Sequence, residues 1–197
     1  MTINWLSTPS VSIVRYSDIS KGKNKSYAVR LFQEADKTSI LRCLDQYHYE
    51  HQTMEEGGGT GEVFDEDEYE EWFESGDPNK VAIVAKVEAT VVGFLLLQTD
   101  NGMDDLTGQH WAIVDFFVGG MYRRHGLGKK LMQYASSYCI ADGRYDVLEA
   151  SSVLSNKRAS DFYVSLEFTI VSKDYEFLNR TNHRGHGQHV VHLRKLI

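Results

Sequence analysis

The chain has 197 residues, of which 42% are hydrophobic and 25% charged, and its formal net charge is −7. These values are typical of a folded protein of one domain, and they exclude wholesale disorder and fibrous repeats. The longest apolar run, residues 91–97, is far shorter than the ~18 to 20 residues that span a bilayer, so the sequence predicts no membrane segment.

The N-terminus and the two cysteines favour a cytoplasmic protein. Residues 1–9 lack the basic and apolar regions of a signal peptide, so a cytoplasmic location is the default expectation. Cys43 and Cys139 lie far apart in the sequence, each on the apolar face of a predicted helix. A buried, reduced thiol is the commonest state there, and we therefore expect no disulfide.

Charge is distributed unevenly along the chain. Residues 43–79 contain 13 Asp and Glu but no Lys or Arg, whereas the remainder has 15 acidic and 21 basic residues, a net of +6. This segment is either a solvated charged face or a negative wall beside a site for a cationic substrate. Such a distribution argues against nucleic acid as a partner, because proteins that bind phosphates present positive surfaces.

The first third of the chain predicts one strand and two helices. Residues 1–25 are predicted to be an N-terminal extension of uncertain order, and residues 26–197 to be the folded domain. Alternating apolar residues predict that this domain begins with a strand at residues 26–33. Asp36 offers an N-cap oxygen to a helix of about three turns. A glycine-rich break precedes a short acidic helix, in which Asp65 and Glu68 resemble a capping box. Its apolar stripe comprises Tyr69, Trp72 and Phe73.

The rest of the chain predicts a β-hairpin followed by alternating strands and helices. Residues 81–87 and 91–98 form the hairpin, and residues 111–118 form the next strand. Apolar residues then recur at the helical period until Asp142 and Gly143 end that helix. A strand at residues 145–150, a short helix around residue 162 and antiparallel strands at residues 168–171 and 189–193 follow. This order predicts a mixed sheet with helices on both faces.

The most informative segment is the turn from the strand at residues 111–118 into the long helix. Gly126 and Gly128 leave the first amides of the helix unobstructed by Cβ atoms, and a helix N-terminus with open amides binds anions. Positive charge comes from three nearby side chains: Arg123, Arg124 and Lys129. A diphosphate is the natural ligand for such a turn. The alternative is that the glycines only allow the strand-to-helix turn and that the nearby basic residues bind no ligand, since a pair of glycines is a weak motif.

Two motifs in this region resemble those of the GCN5-related N-acetyltransferase (GNAT) superfamily. Arg123-x-x-Gly126-x-Gly128 matches the acyl-CoA pyrophosphate loop of that family, Gln/Arg-x-x-Gly-x-Gly/Ala, and follows a strand ending in Phe116-Phe117-Val118. The family's Asn-x-x-Ala-x-x-Phe-Tyr stretch is matched by Asn156, Ala159, Phe162 and Tyr163, with Leu166 and Phe168 beyond it. The resemblance covers the chain from about residue 27 onward.

The resemblance implies a single-domain α/β (α+β) GNAT fold. Its sheet is mixed and mostly antiparallel, has six to seven strands, and contains a bulged fourth strand that splays from the fifth. Backbone groups of Phe117, Val118 and Gly119 would bind the pantetheine arm and the acyl carbonyl of acetyl-CoA. The pyrophosphate would be bound by the loop of Arg123, Arg124, His125, Gly126, Leu127, Gly128 and Lys129. Asn156 would reach the pantetheine or the adenosine side.

The resemblance also implies an acyl-CoA-dependent N-acetyltransferase that acts by direct attack of a primary amine in a ternary complex. Tyr163 matches the general acid that protonates the CoA thiolate, although a tyrosine on an apolar face is otherwise a core residue. The family fixes no general base, and Asp115 and Glu149 are the acids nearest the predicted splay. Candidate acceptor-binding residues are Glu62, Glu66 and Glu70, for which the alternative is a solvated structural role.

Some features fall outside the family pattern. Glu167 replaces the glycine that usually ends the helix after Phe-Tyr, so the left-handed cap expected there must form differently or be absent. The histidine run, His183, His186, His189 and His192, has no Cys or acid to complete a tetrahedral set, so we expect no metal.

The expected partner is a cationic small molecule or a lysine or N-terminal peptide, with no membrane and no nucleic acid; a homodimer stays open. The alternative from a different class is a non-catalytic GNAT-fold module that senses acyl-CoA or binds a protein.

Overall fold

The computed structural model describes residues 12–18, 23–54, 66–99, 110–176 and 188–197. In chain order, its helices and strands are β1 (Ser12–Asp18), β2 (Lys23–Leu31), α1 (Lys37–Met54), α2 (Glu66–Glu74), β3 (Lys80–Val87), β4 (Thr90–Thr99), β5 (Trp111–Val118), α3 (Leu127–Asp142), β6 (Val147–Val153), α4 (Lys157–Val164), β7 (Thr169–Glu176) and β8 (Gln188–Leu196). None of the helices in these ranges is long and apolar enough to cross a membrane.

The strands form one mixed sheet in the order β1-β2-β3-β4-β5-β6-β8-β7. Neighbouring strands are antiparallel except β5 and β6, which are parallel. The predicted fold class is therefore confirmed. The described sheet has eight strands rather than six to seven, because β1 pairs along its whole length with β2. The strand β1 lies within residues 1–25, which the sequence left as an extension of uncertain order.

Helices cover both faces of the sheet, as the element order predicts. Helices α3 and α4 pack on one face, and α1 and α2 pack on the other. Strand β4 alternates between the two layers, because Leu95 and Leu97 face α3 whereas Phe94 and Leu96 face α1. All four side chains are fully buried, which explains why residues 91–97 form a continuous apolar run.

Strand β5 contains a bulge at Val114. Leu97 of β4 pairs with Ile113, but the next β4 residue, Leu96, pairs with Asp115, so Val114 is the extra residue. Ile113 faces α3, whereas Asp115 contacts α2. The bulge therefore reverses the alternation of side chains, so that residues after Val114 face the sheet side opposite to the one that uninterrupted alternation would give them.

The parallel strands β5 and β6 separate after three paired residues. Their register runs from Trp111 opposite Leu148 to Ile113 opposite Ala150, and the pairing ends there. Beyond this point β6 continues to pair with β8, and β5 with β4. The opening lies at the C-terminal ends of both parallel strands, where the sequence resemblance implies that the fourth and fifth strands of the family splay.

The prediction that Asp36 caps α1 is wrong. Its fully buried carboxylate instead accepts hydrogen bonds from Arg30 at 2.6 and 3.0 Å, from Lys86 Nζ at 2.5 Å and from the Gln33 N–H at 3.0 Å. The acid therefore joins β2 to β3 beside the start of α1. The helix itself has 18 residues, about five turns rather than three.

Glu167 supplies the left-handed residue that glycine usually provides after this helix. Its φ is +71°, and the next amide, of Phe168, donates to the Tyr163 carbonyl at 3.2 Å. The cap predicted from the family pattern is thus formed by a glutamate. A residue with a Cβ adopts this conformation at a cost of about 1–2 kcal/mol.

Both cysteines are free and buried, as predicted. Burial is the main cause that raises the pKa of Cys43 and of Cys139 to about 12. Neither thiol is therefore ionised near neutral pH.

Candidate functional site

The N-terminus of α3 presents open amides at the end of β5. Gly126 is the N-cap residue, with a left-handed φ of +78°, and the first helical hydrogen bond runs from the Lys130 N–H to the Gly126 carbonyl at 3.1 Å. The amides of residues 127–129 precede this bond and have no acceptor within the helix. Tyr27 of β2 donates to the His125 carbonyl at 3.2 Å and so holds the turn against the sheet. This is the geometry of an anion site.

The two glycines of this turn have different structural roles. A Cβ on Gly126 would meet no atom within 4 Å, so its backbone conformation is what favours glycine. A Cβ on Gly128 would lie 3.2 Å from Phe116 and 3.4 Å from Phe162, whose rings stack with centroids 5.4 Å apart. Gly128 therefore allows α3 to approach an aromatic pair, a role that the motif alone does not reveal.

Arg123 connects the loop between β5 and α3 to helix α1 through an ion pair. Its guanidinium forms an ion pair with Glu50 and lies 5.3 Å from the centre of the Phe117 ring, while its Nε donates to the Val118 carbonyl at 2.6 Å. Arg124 and Lys129 are exposed beside the open amides, with Arg124 in a left-handed conformation at φ +64°. The loop therefore keeps positive charge near the start of α3.

Tyr163 lies on α4 and packs against residues of β5 and of the turn after α4. Its ring contacts Phe116, Phe162 and Phe168 at centroid distances of 6.4, 5.6 and 5.3 Å. Burial raises the pKa of Tyr163 well above its usual range, and the negative charge of Asp115 raises it further. The hydroxyl is therefore protonated at neutral pH, as a general acid must be.

Asn156 is the N-cap residue of α4. Its Oδ1 accepts a hydrogen bond from the Ala159 N–H at 3.2 Å, so this oxygen already has a partner within the chain. The contact between Asn156 and the cofactor stays a prediction.

Asp115 belongs to a buried hydrogen-bonded chain. Its Oδ2 accepts from the Tyr69 hydroxyl at 2.9 Å, and the Tyr69 oxygen lies 3.0 Å from Nε2 of His48. Because the one hydroxyl proton is donated to Asp115, His48 must be the donor to Tyr69. The chain joins α1, α2 and β5 close to the opening. In the sequence, Tyr69 stands out only as part of the apolar stripe of the short acidic helix.

Glu149 lies in the paired part of β6, opposite Ala112, rather than in the opening. Its Oε2 accepts from Arg194 Nε at 2.5 Å and lies 3.8 Å from Nε2 of His110. The other oxygen, Oε1, lies 3.7 Å from Nδ1 of His192. The carboxylate is thus shared among three basic side chains, which leaves it poorly placed to accept a proton from an amine.

The acidic residues predicted to bind the acceptor are placed differently from one another. Glu66 is exposed at the start of α2. Glu70 lies 3.4 Å from Lys37 Nζ, which also binds Glu74 at 2.5 Å. Glu62 lies outside the described residues. The acceptor role of all three stays a prediction.

The histidine run is only partly described. His183 and His186 lie outside the described residues, whereas His189 and His192 belong to β8. In the described ranges, no three or more His, Cys, Asp or Glu side chains are grouped so as to hold a metal ion.

Residues 44–168 match the acetyltransferase (GNAT) family. The chain belongs to this family. Among curated proteins, N-alpha-acetyltransferase 50 of Danio rerio is 25% identical over 112 residues, which cover 57% of this chain and 63% of that protein. The match therefore spans less than two thirds of the relative's length.

Solved GNAT structures have the same fold. A GNAT acetyltransferase from Streptococcus pneumoniae has a TM-score of 0.67 at 18% identity, covering 87% of this chain and 99% of that one. Spermidine N-acetyltransferase from Vibrio cholerae, in complex with CoA and spermine, has a TM-score of 0.62 at 16% identity, with coverages of 86% and 95%. At such identities the likeness concerns the fold alone. The GNAT assignment made from the two motifs is confirmed.

Proposed function

We propose that this GNAT protein transfers the acetyl group of acetyl-CoA to a primary amine, by direct attack in a ternary complex. The acceptor is a cationic small molecule, or a lysine or N-terminal peptide. The observation that carries the proposal is the buried, protonated Tyr163 next to the opening between β5 and β6. A proton donor at that place can serve a leaving thiolate, a step that a module which only binds acyl-CoA does not carry out.

The residues at the opening fit acetyl-CoA, which supplies the activated thioester. The amides of residues 127–129 and the charges of Arg124 and Lys129 suit a pyrophosphate. Beyond Ile113 the backbone of β5 no longer pairs with β6, so groups of Phe117 and Val118 can bind a pantetheine arm. Gly119 is held by a hydrogen bond from its N–H to the Val92 carbonyl at 2.9 Å.

Tyr163 performs the acid half of the transfer. The amine nitrogen attacks the thioester carbonyl carbon, the new C–N bond forms, and the C–S bond breaks. Tyr163 then gives its proton to the sulfur and regains one from solvent. The phenol is protonated throughout the neutral range, so it holds the proton that the thiolate needs before each turnover.

The nature of the acceptor is supported by the relatives and by charge. One relative is named for transfer to α-amino groups, and a structural neighbour is a spermidine N-acetyltransferase with spermine bound. Both names describe acetylation of an amino nitrogen. The 13 acidic residues of residues 43–79 would attract such an amine in its cationic form.

The test is to incubate the purified protein with acetyl-CoA and a panel of polyamines, aminoglycosides, amino acids, and lysine and N-terminal peptides, and to measure thiol release. We expect release with at least one amine above the rate of hydrolysis without acceptor. Calorimetric binding of acetyl-CoA without transfer to any amine would support the non-catalytic sensor instead. Absence of binding would contradict both functions.

A further inference from the structure

A serine marks the point where β6 leaves β5. The last paired residue of β6 is Ala150, and Ser151 is the first beyond it. Leu148 and Ala150 are buried in the layer of α3 and α4, so Glu149 and Ser151 point to the opposite face of the sheet. Ser151 is exposed there. Its hydroxyl is therefore at the edge of the opening on the face that α1 and α2 share.

The Ser151 hydroxyl is hydrogen-bonded to a histidine of the last strand. His192 lies directly opposite Ser151 in the β6–β8 register, and its Nδ1 is 3.1 Å from Ser151 Oγ. The His192 side chain is 14% exposed. Imidazole is the side chain that takes up and releases protons near neutral pH. The pair thus connects the mouth of the opening to a proton acceptor.

The charged side chains nearest His192 lie on β6 and β8. Glu149 Oε1, on β6, lies 3.7 Å from Nδ1 of His192. Arg194, on β8, holds the other oxygen of Glu149 and fixes its direction, and His110 lies 3.8 Å from that oxygen. From β7, the residue opposite His192 is the uncharged Ser172.

Tyr163, the proposed general acid, lies on one face of the opening, and the pair of Ser151 and His192 lies on the opposite face. Tyr163 belongs to the layer of α3 and α4, together with the aromatic residues that pack beside the open amides. Ser151 and His192 belong to the other face, which also carries the acidic helix α2. A thioester held between β5 and β6 would expose its sulfur to Tyr163 and its carbonyl carbon to an amine that arrives past Ser151.

We propose that Ser151 contacts the acceptor amine and that His192 takes the amine's proton through the Ser151 hydroxyl. The proposal rests on the proposed acetyltransferase function and assigns the base that the sequence left open between Asp115 and Glu149. With the single N–H proton of the His192 ring on Nε2, Nδ1 accepts from Ser151 Oγ. Ser151 passes its hydroxyl proton to Nδ1 and takes one from the ammonium group.

The protons balance over one turnover. An ammonium group loses two protons in becoming an amide. The first passes through Ser151 to His192 and frees the lone pair that attacks the carbonyl carbon. The second is lost to solvent as the amide forms. The thiol gains its proton from Tyr163, and exchange with solvent then returns His192 and Tyr163 to their starting forms.

The test compares His192→Gln, Ser151→Ala and the control His110→Gln, which changes a histidine that contacts the other oxygen of Glu149. For the best amine of the panel, kcat/KM is measured from pH 7 up to the pKa of that amine. A variant without the base reacts only with amine that is already neutral. His192→Gln and Ser151→Ala should therefore lose about 100-fold at pH 7, with the loss shrinking steadily as the pH approaches the amine pKa. His110→Gln should follow the wild-type profile.

Melting temperature and calorimetric affinity for acetyl-CoA verify that each variant is folded. Ser151 is exposed, so its alanine variant keeps the proposal testable if His192→Gln does not fold. A loss by the same factor at every pH would mean a structural role, and wild-type activity in both variants would mean another base; either result overturns the inference. Failure of the proposed function is a separate outcome, in which the wild-type protein acetylates no amine.

Discussion

The substitution Tyr163→Phe tests the proposed acid role separately from acetyl-CoA binding. In the proposed transfer the Tyr163 hydroxyl is needed only when the thiolate departs. The Tyr163 ring packs among three phenylalanines that a phenylalanine at position 163 would still contact. Tyr163→Phe should therefore lower kcat by about 100-fold or more. The calorimetric affinity for acetyl-CoA should stay nearly intact. Wild-type turnover in this variant would mean that solvent or another group protonates the thiolate.

Gly126 offers a test of the pyrophosphate site that leaves the fold unchanged. Asparagine tolerates a left-handed conformation, and a Cβ at this position has open space in the protein alone. With a phosphate at the open amides, the added side chain would crowd it. Gly126→Asn should therefore weaken acetyl-CoA binding at least tenfold, about 1.4 kcal/mol, by calorimetry.

The control for this variant is Gly143→Asn, at the other end of α3. Gly143 is also left-handed, at φ +66°, and a Cβ there would lie no closer than 3.9 Å to any atom. We expect wild-type affinity for this control. Equal acetyl-CoA affinity in the two asparagine variants would place the pyrophosphate elsewhere.

Individual residues were predictable where the chemistry is local. Gly126 and Tyr163 could be singled out as candidates because each stands in a short motif whose members are close in sequence, and their roles stay predictions. The hydrogen-bond partners of Asp115 and Glu149 could not be predicted in this way. Tyr69 lies 46 residues from Asp115, and Arg194 lies 45 residues from Glu149. Asp36 was misassigned for the same reason, because the sequence before a helix does not reveal that Arg30 and Lys86 converge on its carboxylate.

At the scale of elements, Asp36 ties β2 and β3 together where α1 begins. Burial acts to raise the pKa of Asp36, but the hydrogen bonds from Arg30, Lys86 and the Gln33 N–H outweigh it, and the pKa is lowered. A lowered pKa stabilises the fold above about pH 4, the ordinary value for Asp, and this contribution is lost as the pH falls through the folded-state value. Asp36→Asn should cost about 3 kcal/mol at pH 7.

Urea unfolding at several pH values tests this expectation. The difference between wild type and Asp36→Asn should shrink as the pH falls below about 4, because asparagine does not titrate and the wild-type carboxylate becomes neutral. A difference that stays constant across this range would mean that Asp36 acts through packing rather than through its charge.

Elements with local end signals were predicted well. Helix α3 ends at Asp142 and is capped by the left-handed Gly143, as the sequence indicates. The face of Asp115 was not predictable, because alternation assumes an uninterrupted strand and the bulge at Val114 reverses it. Strand β1 was left within an extension of uncertain order, because four of its seven residues are polar or charged and its pairing with β2 is not evident from the sequence.

Charge on the scale of the whole molecule gives a prediction about the acceptor. If the acidic segment, residues 43–79, attracts a cation, kcat/KM should fall as salt rises, since the attraction is screened over about 8–10 Å near physiological ionic strength. The combined variant Glu62→Gln, Glu66→Gln and Glu70→Gln should raise KM for the amine and spare KM for acetyl-CoA. The control is Asp161→Asn, which removes an exposed charge paired with Lys157 on α4. A kinetically silent triple variant would make this segment a solvated face.

The strand order also sets a sequence of events for a chain made from its N-terminus. Strand β8 follows β7 in the chain but lies between β6 and β7 in the sheet. During synthesis, β7 is therefore made before β8, the strand that connects it to the sheet. One edge of β6 stays unpaired until β8 has been synthesised. The pairing of Ser151 with His192 forms in that same late step. A nascent chain thus completes the glycine turn at the start of α3 before the pairing of β6 with β8, and an unfinished protein lacks the contact between Ser151 and His192.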